Sequence, residues 1–414
     1  MRRCAYVLCI LLLAGSAGIG RGQTRPIVTA NAAPASSFGP SGIEADGYLY
    51  VAGQNARRPD GSLSENFSDQ VRQALDKIRV VVQSAGLTVD HVVYVQVYLQ
   101  DVSHYSELNE VFAGYFPKVP PARAVLGVAR GPESPVQINA VAVRDLTGRQ
   151  AVSPTSFSAD KAFSAGVLTH DRFFISTMPG LDPSTGQVPA KPSDQVDMAL
   201  DRLNSVLKAA GLSAANMVFV NPYLTAGIPM RIMNEHYARR FEFGNTPARA
   251  TIEVSGLPEG AHIAYTGVAV RDITRRRAIR PKNMAPSPTA SPCVFAGDTL
   301  YCSAKSGFIP GPNGGIYMAE TANQTRQTMR NLLDNLEEAD MNFDQIVFTT
   351  IYLDDLAESP AFHNIYKKYF AGSLPAETTL QQLAPGNRKA DAEGQYPTLE
   401  QMSLIAVRSH APAP

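Results

Sequence analysis

The tripeptide Pro121-Ala122-Arg123 recurs as Pro247-Ala248-Arg249 and, with its charge reversed, as Pro375-Ala376-Glu377. Each copy follows an amphipathic segment that ends in Phe, and each precedes an apolar run typical of a β-strand. A tripeptide that returns three times in the same context indicates an internal repeat. We therefore expect the last residue of each tripeptide to decide what that copy binds.

A helix with one stripe of core residues precedes each tripeptide. The stripe steps by four, three and four residues in every copy, which is the spacing of one face of an α-helix. The positions are Val71, Leu75, Ile78 and Val82, then Val196, Leu200, Leu203 and Leu207, then Thr325, Met329, Leu332 and Leu336. Three unrelated helices would rarely share this register, so we interpret the chain as three copies of one unit.

Strand-like and helical segments follow the same order in each unit: a strand hairpin, a helix, a strand, a helix and two strands. This order predicts an α+β unit with its helices on one face of a mixed sheet. After a leader at 1–22, the units are assigned to 23–147, 148–273 and 274–414. Pro222 interrupts one strand, which is therefore expected to be an edge strand or to contain a bulge.

The composition is that of an ordinary globular protein, with 44% hydrophobic and 18% charged residues. The 37 basic and 37 acidic residues cancel, so charge offers no argument for a nucleic-acid partner or an anionic membrane. We interpret the basic run Arg275-Arg276-Arg277 as a solvated linker. The seven His residues show no metal-ligand spacing and no Gly-rich phosphate loop is present, so no metal or cofactor is expected.

The N-terminus has the pattern of a secretory signal peptide. Arg2-Arg3 precede an apolar run from Ala5 to Ala14, which is too short to span a bilayer, and small residues follow to Gly22. We expect a secreted or periplasmic protein that is not attached to a membrane after cleavage.

Two of the four cysteines, Cys293 and Cys302, remain after such cleavage. They flank two short strand-like runs joined by the turn residues Gly297-Asp298. With this turn, counting outwards places the two cysteines opposite each other in a non-hydrogen-bonded pair, at a separation that a disulfide accepts. An oxidising compartment favours the disulfide, and two buried free thiols are the alternative.

The order of short motifs in each unit resembles the RidA/YjgF family of reactive enamine/imine deaminases, also called the endoribonuclease L-PSP family. The first unit carries the motifs most fully: Val51-Ala52-Gly53-Gln54, Ala85-Gly86-Leu87, Val97-Tyr98-Leu99, Asn109-Glu110, Tyr115-Phe116 and Pro121-Ala122-Arg123. The resemblance covers nearly all of the chain after the leader.

The resemblance implies a chorismate-mutase-like fold and ligand clefts between neighbouring units. Because family members usually form homotrimers, a chain with three units is expected to form an intramolecular pseudo-trimer and to be monomeric. Its three clefts are then free to diverge. Some relatives are described as endoribonucleases, but this sequence shows no basic stripe with stacking aromatic residues, so no nucleic-acid partner is expected.

Several site residues are implied by the same motifs. Arg123 and Arg249 match the residue that grips the substrate carboxylate, and the alternative is an Arg bound to a neighbouring acid or lying on the surface. Asn109 and Asn234 match an Asn near the cleft, with packing or capping of a helix as the alternative. Further matches are His363 at the Asn position of the third unit, and Ser176 and Ser303 at a cleft Ser that the first unit replaces with Ala52.

The sequence departs from the family at the Glu that is thought to activate water. Gln137, Ala264 and Gln401 occupy that position in the three units, and Glu400 beside Gln401 is expected to face the other side of its strand. Gln137 can orient a water molecule without accepting its proton.

The third unit departs further, because Glu377 replaces the carboxylate-binding Arg. Its carboxylate would repel an anionic ligand and would either favour an amine or cation, or pair with a neighbouring Arg or Lys. We expect this unit to be mainly structural.

These observations favour a protein that binds small carboxylates or imino acids between its units without a cofactor. Hydrolysis of reactive imines is the reaction that the resemblance implies, but no unit keeps both the Arg and the Glu, so the residues support carboxylate binding better than catalysis. The alternative is a non-catalytic binding or scaffolding protein that retains the fold.

Overall fold

A computed structural model describes residues 24–29, 32, 38–116, 118–129, 134–311, 314–383 and 387–408. The leader expected at 1–22 lies outside the described residues.

The chain folds into three α+β units, each built on its own sheet, which confirms the predicted fold class. Unit 1 contains β1 (Arg25–Ile27), β2 (Gly42–Ala45), β3 (Tyr48–Asn55), α1 (Phe67–Ser84), β4 (Val92–Leu99), α2 (Tyr105–Tyr115), β5 (Ala122–Gly127) and β6 (Val136–Val143). Its strand order is β1-β2-β3-β6-β4-β5. Only β4 and β5 pair in parallel, because α2 carries the chain back between them.

Units 2 and 3 repeat this plan. Unit 2 contains β7 (Gln150–Val152), β8 (Gly166–Leu168), β9 (Arg172–Pro179), α3 (Pro192–Ala209), β10 (Met217–Leu224), α4 (Met230–Ala238), β11 (Ala248–Arg249), β12 (Ile252–Glu253) and β13 (Ile263–Val270). Unit 3 contains β14 (Arg276–Ile279), β15 (Cys293–Ala296), β16 (Thr299–Ser306), α5 (Thr321–Glu338), β17 (Ile346–Leu353), α6 (Ser359–Tyr366), β18 (Ala376–Gln381) and β19 (Glu400–Val407).

A short strand that was not predicted opens each unit. The interpretation of the basic run as a solvated linker is wrong, because Arg276 begins β14 and pairs with Ala296. Its Nε also donates to the Met217 carbonyl at 2.8 Å. Polar residues can form such a strand because it lies at the edge of its sheet, where one side faces solvent.

Each long helix is followed by a residue with positive φ. The residue after each C-cap adopts a left-handed conformation, at Gly86 (φ 75°), Gly211 (φ 72°) and Asp340 (φ 57°). Glycine adopts this conformation without a steric penalty, and Asp tolerates it better than most residues.

Pro222 lies inside the sheet of unit 2, so of the two predicted alternatives the edge strand is wrong, whereas the strand does contain a bulge, although not at Pro222 itself. It pairs with Tyr265 on one side of β10, and the only register shift in that pairing falls between Met217 and Phe219. On the other side, the strand that is continuous in unit 1 is split into β11 and β12. The missing proline N–H therefore interrupts the parallel pairing.

The hairpin of β15 and β16 has the register that its turn predicts. Ala296 pairs with Thr299, and Cys293 lies opposite Cys302. The two cysteines form a disulfide with a Cα–Cα distance of 4.0 Å.

The three sheets contact each other in cyclic order: β5 against β9, β11 against β16, and β18 against β3. One apolar cluster contains residues of all three units, including Tyr98, Tyr223 and Tyr352. Each unit has a second cluster between its sheet and its helices. The helices therefore cover one face of each sheet, while the other faces meet in a shared core.

Arg172 joins the three units at one end of this core. Its fully buried guanidinium donates to Asp46 of unit 1 at 2.8 Å and to Thr299 of unit 3 at 2.7 Å. The corresponding first strand residue is Tyr48 in unit 1 and Thr299 in unit 3. A single arginine at this place breaks the symmetry of the repeats.

Candidate functional site

The strands that carry Arg123 and Arg249 are each fixed to the next unit by a serine. The backbone N–H of Arg123 donates to Ser176 Oγ at 2.6 Å, and that hydroxyl donates to the Ser164 carbonyl at 2.6 Å. Units 2 and 3 repeat this link, with the Arg249 N–H donating to Ser303 Oγ at 2.8 Å. The predicted cleft serines thus hold the unit interface through the backbone.

The guanidinium of Arg123 is buried and only partly satisfied. Its Nη2 donates to Asn109 Oδ1, whereas its buried Nη1 has no hydrogen-bond partner among the residues that the structure describes. Phe112 and Phe163 lie against it, with ring centroids 4.6 and 4.9 Å from Cζ. Burial lowers the pKa of Arg123, and Tyr105 and Asp160 oppose this effect. The free N–H groups and the positive charge favour an anionic ligand.

A cavity of about 590 Å³ opens beside Arg123 between units 1 and 2. Its wall includes Tyr105, Asn109 and Arg123 from unit 1, and Thr177, Arg202 and Ala264 from unit 2. A cleft of this kind at the boundary of two units is a common place for a small-molecule site. The residue at the family's Glu position in unit 2 is Ala264, and it faces the Arg123 cleft. Its methyl group cannot accept a proton.

Sequence reasoning missed an acid in this cavity. Glu259 lies on the wall five residues before Ala264, and its backbone is left-handed with φ 61°. A non-glycine residue in this region is uncommon and is often found at functional sites. The surrounding Pro258-Glu259-Gly260 turn was visible in the sequence, but its position against Arg123 depends on the packing of two units.

The second cleft keeps the same pair of side chains. Arg249 Nη1 donates to Asn234 Oδ1 at 2.7 Å, and the ring centroid of Tyr237 lies 5.2 Å from Arg249 Cζ. Burial lowers the pKa of Arg249. A cavity of about 230 Å³ near this interface is lined by residues such as Arg280 and Ser291 but not by Arg249.

Gln401 and Glu400 face opposite sides of β19, as the strand alternation predicts. Gln401 Nε2 donates to Gln382 Oε1 at 2.7 Å and, at 3.5 Å, to the Thr251 carbonyl of unit 2. The carboxylate of Glu400 instead accepts from Thr328 on α5. Gln401 is thus the residue that approaches the second cleft.

The third cleft holds a buried acid and imidazole. Glu377 Oε1 lies 2.9 Å from His363 Nε2, and both side chains are almost fully buried. The ring of Phe38, from unit 1, stacks on His363 with 4.0 Å between ring centroids. The predicted Arg or Lys partner for Glu377 is therefore wrong, and the partner is His363.

Gln137 does not join the arginines that it was expected to assist. Gln137 lies where unit 1 meets unit 3. Its Nε2 and the Thr378 Cγ2 of unit 3 both lie next to Gly53, because a Cβ atom added at Gly53 would be 2.2 Å from the first and 3.2 Å from the second. It does not line the Arg123 cavity, and both of its polar side-chain atoms are buried without partners. The reason is that each unit takes part in two clefts, one with each neighbouring unit. Residues of one unit that are close in sequence can therefore lie in different clefts.

Within the described ranges, no group of three or more His, Cys, Asp or Glu side chains is placed to hold a metal ion. No helix in that part of the chain is long and apolar enough to cross a membrane.

The fold and the site define a protein of three α+β units with arginine-containing clefts at two of their interfaces. The family model described as Endoribonuclease L-PSP matches residues 29–144, 154–270 and 282–387. The chain belongs to this family, the RidA/YjgF family, which confirms the resemblance found in the sequence.

Curated relatives match about one unit of this chain. A rat 2-iminobutanoate/2-iminopropanoate deaminase is 37% identical over 111 residues, which cover 27% of this chain and 80% of that protein. A RutC family protein of Aquifex aeolicus is 36% identical over 106 residues, covering 25% of this chain and 85% of that protein.

Solved structures give matches of similar extent. The YjgF gene product from E. coli is 29% identical and matches with a TM-score of 0.28, covering 29% of this chain and 99% of that one. Yeast Mmf1 is 27% identical with a TM-score of 0.28, covering 30% of this chain and 100% of that one.

Proposed function

We propose that the protein binds small 2-oxo and 2-imino carboxylates in the cleft between units 1 and 2 and hydrolyses reactive imines there to 2-oxo acids and ammonia. The observation that carries this proposal is the buried Arg123 guanidinium, which presents the unpartnered Nη1 beside a cavity of about 590 Å³. The name of the rat relative, a 2-iminobutanoate/2-iminopropanoate deaminase, supports the same substrate class.

The residues suggest how such hydrolysis proceeds. Arg123 binds the substrate carboxylate, and Asn109 holds the guanidinium in place. Water then adds to the carbon of the C=N bond and gives up a proton, the nitrogen is protonated, and cleavage of the C–N bond releases ammonia. Because Ala264 cannot accept the proton of the attacking water, we assign that role to Glu259 on the same wall.

The three clefts are not equivalent in this proposal. The first has the arginine, the cavity and an acid. The second keeps Arg249 and Asn234 and supports weaker carboxylate binding. The third replaces its arginine with Glu377, which pairs with His363 of the same unit, and Phe38 of unit 1 stacks on that imidazole, so this cleft has a structural role.

We also propose that the protein is exported and that a single chain forms the pseudo-trimer, so that the protein is monomeric. The cyclic contacts of the sheets and their shared core support the intramolecular arrangement. Light scattering should give the mass of one chain, and a trimeric mass would contradict it. Export rests on the pattern of the first 22 residues, and N-terminal sequencing of the protein from a periplasmic or secreted fraction tests it.

The activity test uses 2-iminobutanoate that an amino-acid oxidase forms in the assay. Wild-type protein should accelerate ammonia release above the spontaneous rate, and Arg123→Met should remove most of the acceleration. Arg249→Met should have the smaller effect. The deaminase proposal is rejected if wild type is no faster than the Arg123→Met/Arg249→Met double variant.

Calorimetric measurement of 2-oxobutanoate binding distinguishes the deaminase from the alternative, a non-catalytic binding or scaffolding protein. A non-catalytic binding protein would bind this 2-oxo acid in an Arg123-dependent way without accelerating hydrolysis. A scaffolding protein would show neither property.

A further inference from the structure

Arg202 on α3 places a second guanidinium on the wall of the Arg123 cavity. Its Cζ lies 4.8 Å from the ring centroid of Phe157, and its Nε is buried without a hydrogen-bond partner. Burial lowers the pKa of Arg202, and the negative charge of Glu259 opposes this effect. The family motifs do not include this arginine, and the substrate carboxylate already bound by Arg123 does not require it.

The equivalent positions in the other units are satisfied by the protein itself. The equivalent position in each long helix lies six residues after the first residue of its stripe of core residues. It is occupied by Lys77 in unit 1, Arg202 in unit 2 and Asn331 in unit 3. Lys77 Nζ donates to Asn55 Oδ1 at 2.8 Å, and Asn331 Nδ2 donates to the Ser306 carbonyl at 2.9 Å. Both partners are the last residue of the strand that precedes the helix.

In unit 2 the last residue of that strand is Pro179, which has no side-chain acceptor like that of Asn55. Among the described residues, Arg202 makes no hydrogen bond to the Pro179 carbonyl of the kind that Asn331 makes to Ser306. Pro179 also lines the cavity, so the end of the strand leaves open space where the other units place a polar partner. Among the described residues, Arg202 has no ion-pair partner in contact. A partly buried charge without a partner is unfavourable, and an anion bound in the cavity would relieve this cost.

Two arginines in one cavity also repel each other until they are neutralised. The acids on the wall, Asp160 and Glu259, are exposed and are not in ion-pair contact with either guanidinium in the described ranges. A ligand with one carboxylate neutralises one arginine, whereas a ligand with two carboxylates neutralises both. A planar guanidinium can bind a carboxylate through two parallel hydrogen bonds, so each arginine can hold one carboxylate in a defined orientation.

We propose that this cleft selects dicarboxylates, namely 2-oxo or 2-imino acids with a second carboxylate at the far end of the chain. Arg123 binds the carboxylate next to the reacting carbon, and Arg202 binds the distal one. This inference rests on the proposed carboxylate-binding function of the cleft and specifies its substrate class.

The test compares two ligands of equal chain length by calorimetry: 2-oxoglutarate, with two carboxylates, and 2-oxopentanoate, with one. Wild type should bind 2-oxoglutarate about tenfold or more tightly than 2-oxopentanoate, because a hydrogen-bonded charge pair adds an interaction of that size. Arg202→Met should remove this preference and leave 2-oxopentanoate affinity within about twofold. Arg123→Met should weaken both ligands.

Arg239→Met is the matched control. It removes one positive charge from an exposed arginine, at the C-cap of α4, that pairs with Glu235 and does not line the cavity. It should leave the preference for 2-oxoglutarate unchanged. Equal thermal unfolding midpoints for wild type and Arg202→Met would show that the variant is folded.

The possible failures are distinguishable. If wild type binds 2-oxopentanoate in an Arg123-dependent way but shows no preference for 2-oxoglutarate, the dicarboxylate inference is overturned and carboxylate binding stands. The same holds if Arg202→Met weakens both ligands equally. If wild type binds neither ligand, the proposed function fails together with the inference.

Discussion

His363 Nε2 lies 2.9 Å from Glu377 Oε1, and this pair occupies the positions that Asn109 and Arg123 hold in unit 1. Both members have changed together, so a hydrogen bond between the second helix and the following strand is kept while the charge on the strand is reversed. The Nδ1 atom of the same imidazole lies 2.8 Å from the Ser359 carbonyl. The third cleft has thus lost its anion-binding group but not the link between its elements.

Removing only the imidazole should destabilise the protein. In His363→Leu the carboxylate of Glu377 remains buried and keeps only the Thr379 hydroxyl at 3.3 Å, at an expected cost of about 3–5 kcal/mol. The His363→Leu/Glu377→Leu double variant should recover much of this loss, because no buried charge remains. Urea unfolding measures both, and equal stability of the single variant and wild type would contradict the pairing.

Glu259 is expected to serve hydrolysis and not ligand binding. Glu259→Gln should lower the rate of 2-iminobutanoate hydrolysis by about 10²-fold or more, the usual contribution of a general base, while 2-oxobutanoate affinity is retained. Glu253→Gln, which changes an exposed acid that does not line the cavity, is the control. A Glu259→Gln variant with wild-type turnover would show that another group accepts the proton.

Glu400 should make the protein less stable as the pH rises. Burial raises the pKa of Glu400 from 4.5 to about 8, opposed by the hydrogen bonds from Thr328 and the Gly307 N–H. The folded state therefore binds more protons than the unfolded state across this interval, and stability present below pH 4.5 is lost as the pH rises through 8. The expected loss is on the order of a few kcal/mol.

Urea midpoints measured from pH 5 to 9 would check this expectation. Glu400→Gln should flatten the decline, whereas Glu337→Gln, on the exposed side of α5, should not change it. Parallel pH profiles for wild type and Glu400→Gln would mean that the carboxyl is not buried in its neutral form.

Arg172 should contribute more to stability than an arginine that contacts one unit. Arg172→Met removes the charged partner of Asp46, which keeps only the hydrogen bond from Thr299, and removes the bond from Arg172 to Thr299, with an expected cost of about 3–5 kcal/mol. Arg271→Met, which loses contacts to carbonyls within unit 2, should cost about 1 kcal/mol. Urea unfolding compares the two, and equal effects would argue against a role for Arg172 in joining the units.

Local patterns were sufficient for the long helices and for the hairpin of unit 3. The common helical register predicted α1, α3 and α5, and the turn at Gly297-Asp298 predicted the pairing of Cys293 with Cys302. These predictions succeed because helix periodicity and hairpin geometry depend on residues that are close in the chain. The short first strands were missed because their pairing depends on an exposed edge that the sequence pattern does not mark.

The candidate site was only partly predictable. The motif residues Arg123 and Asn109 do lie together, because they belong to one unit. Gln137 belongs to the same unit and lies in a different cleft, and Glu259 and Arg202 come to the Arg123 cavity from the next unit. A sequence orders residues within a unit but does not state which wall of one unit meets which wall of another.

By itself, the sequence determined that this protein has three related units, which helix faces they bury, and which tripeptide positions carry an arginine or a glutamate. Only the tertiary structure decided that the arginine of one unit shares a cavity with the acid and second arginine of the next, and that Glu377 is paired with His363. The physical reason is that helices and hairpins arise from short-range periodicity, whereas the clefts arise where separate sheets pack around a common core.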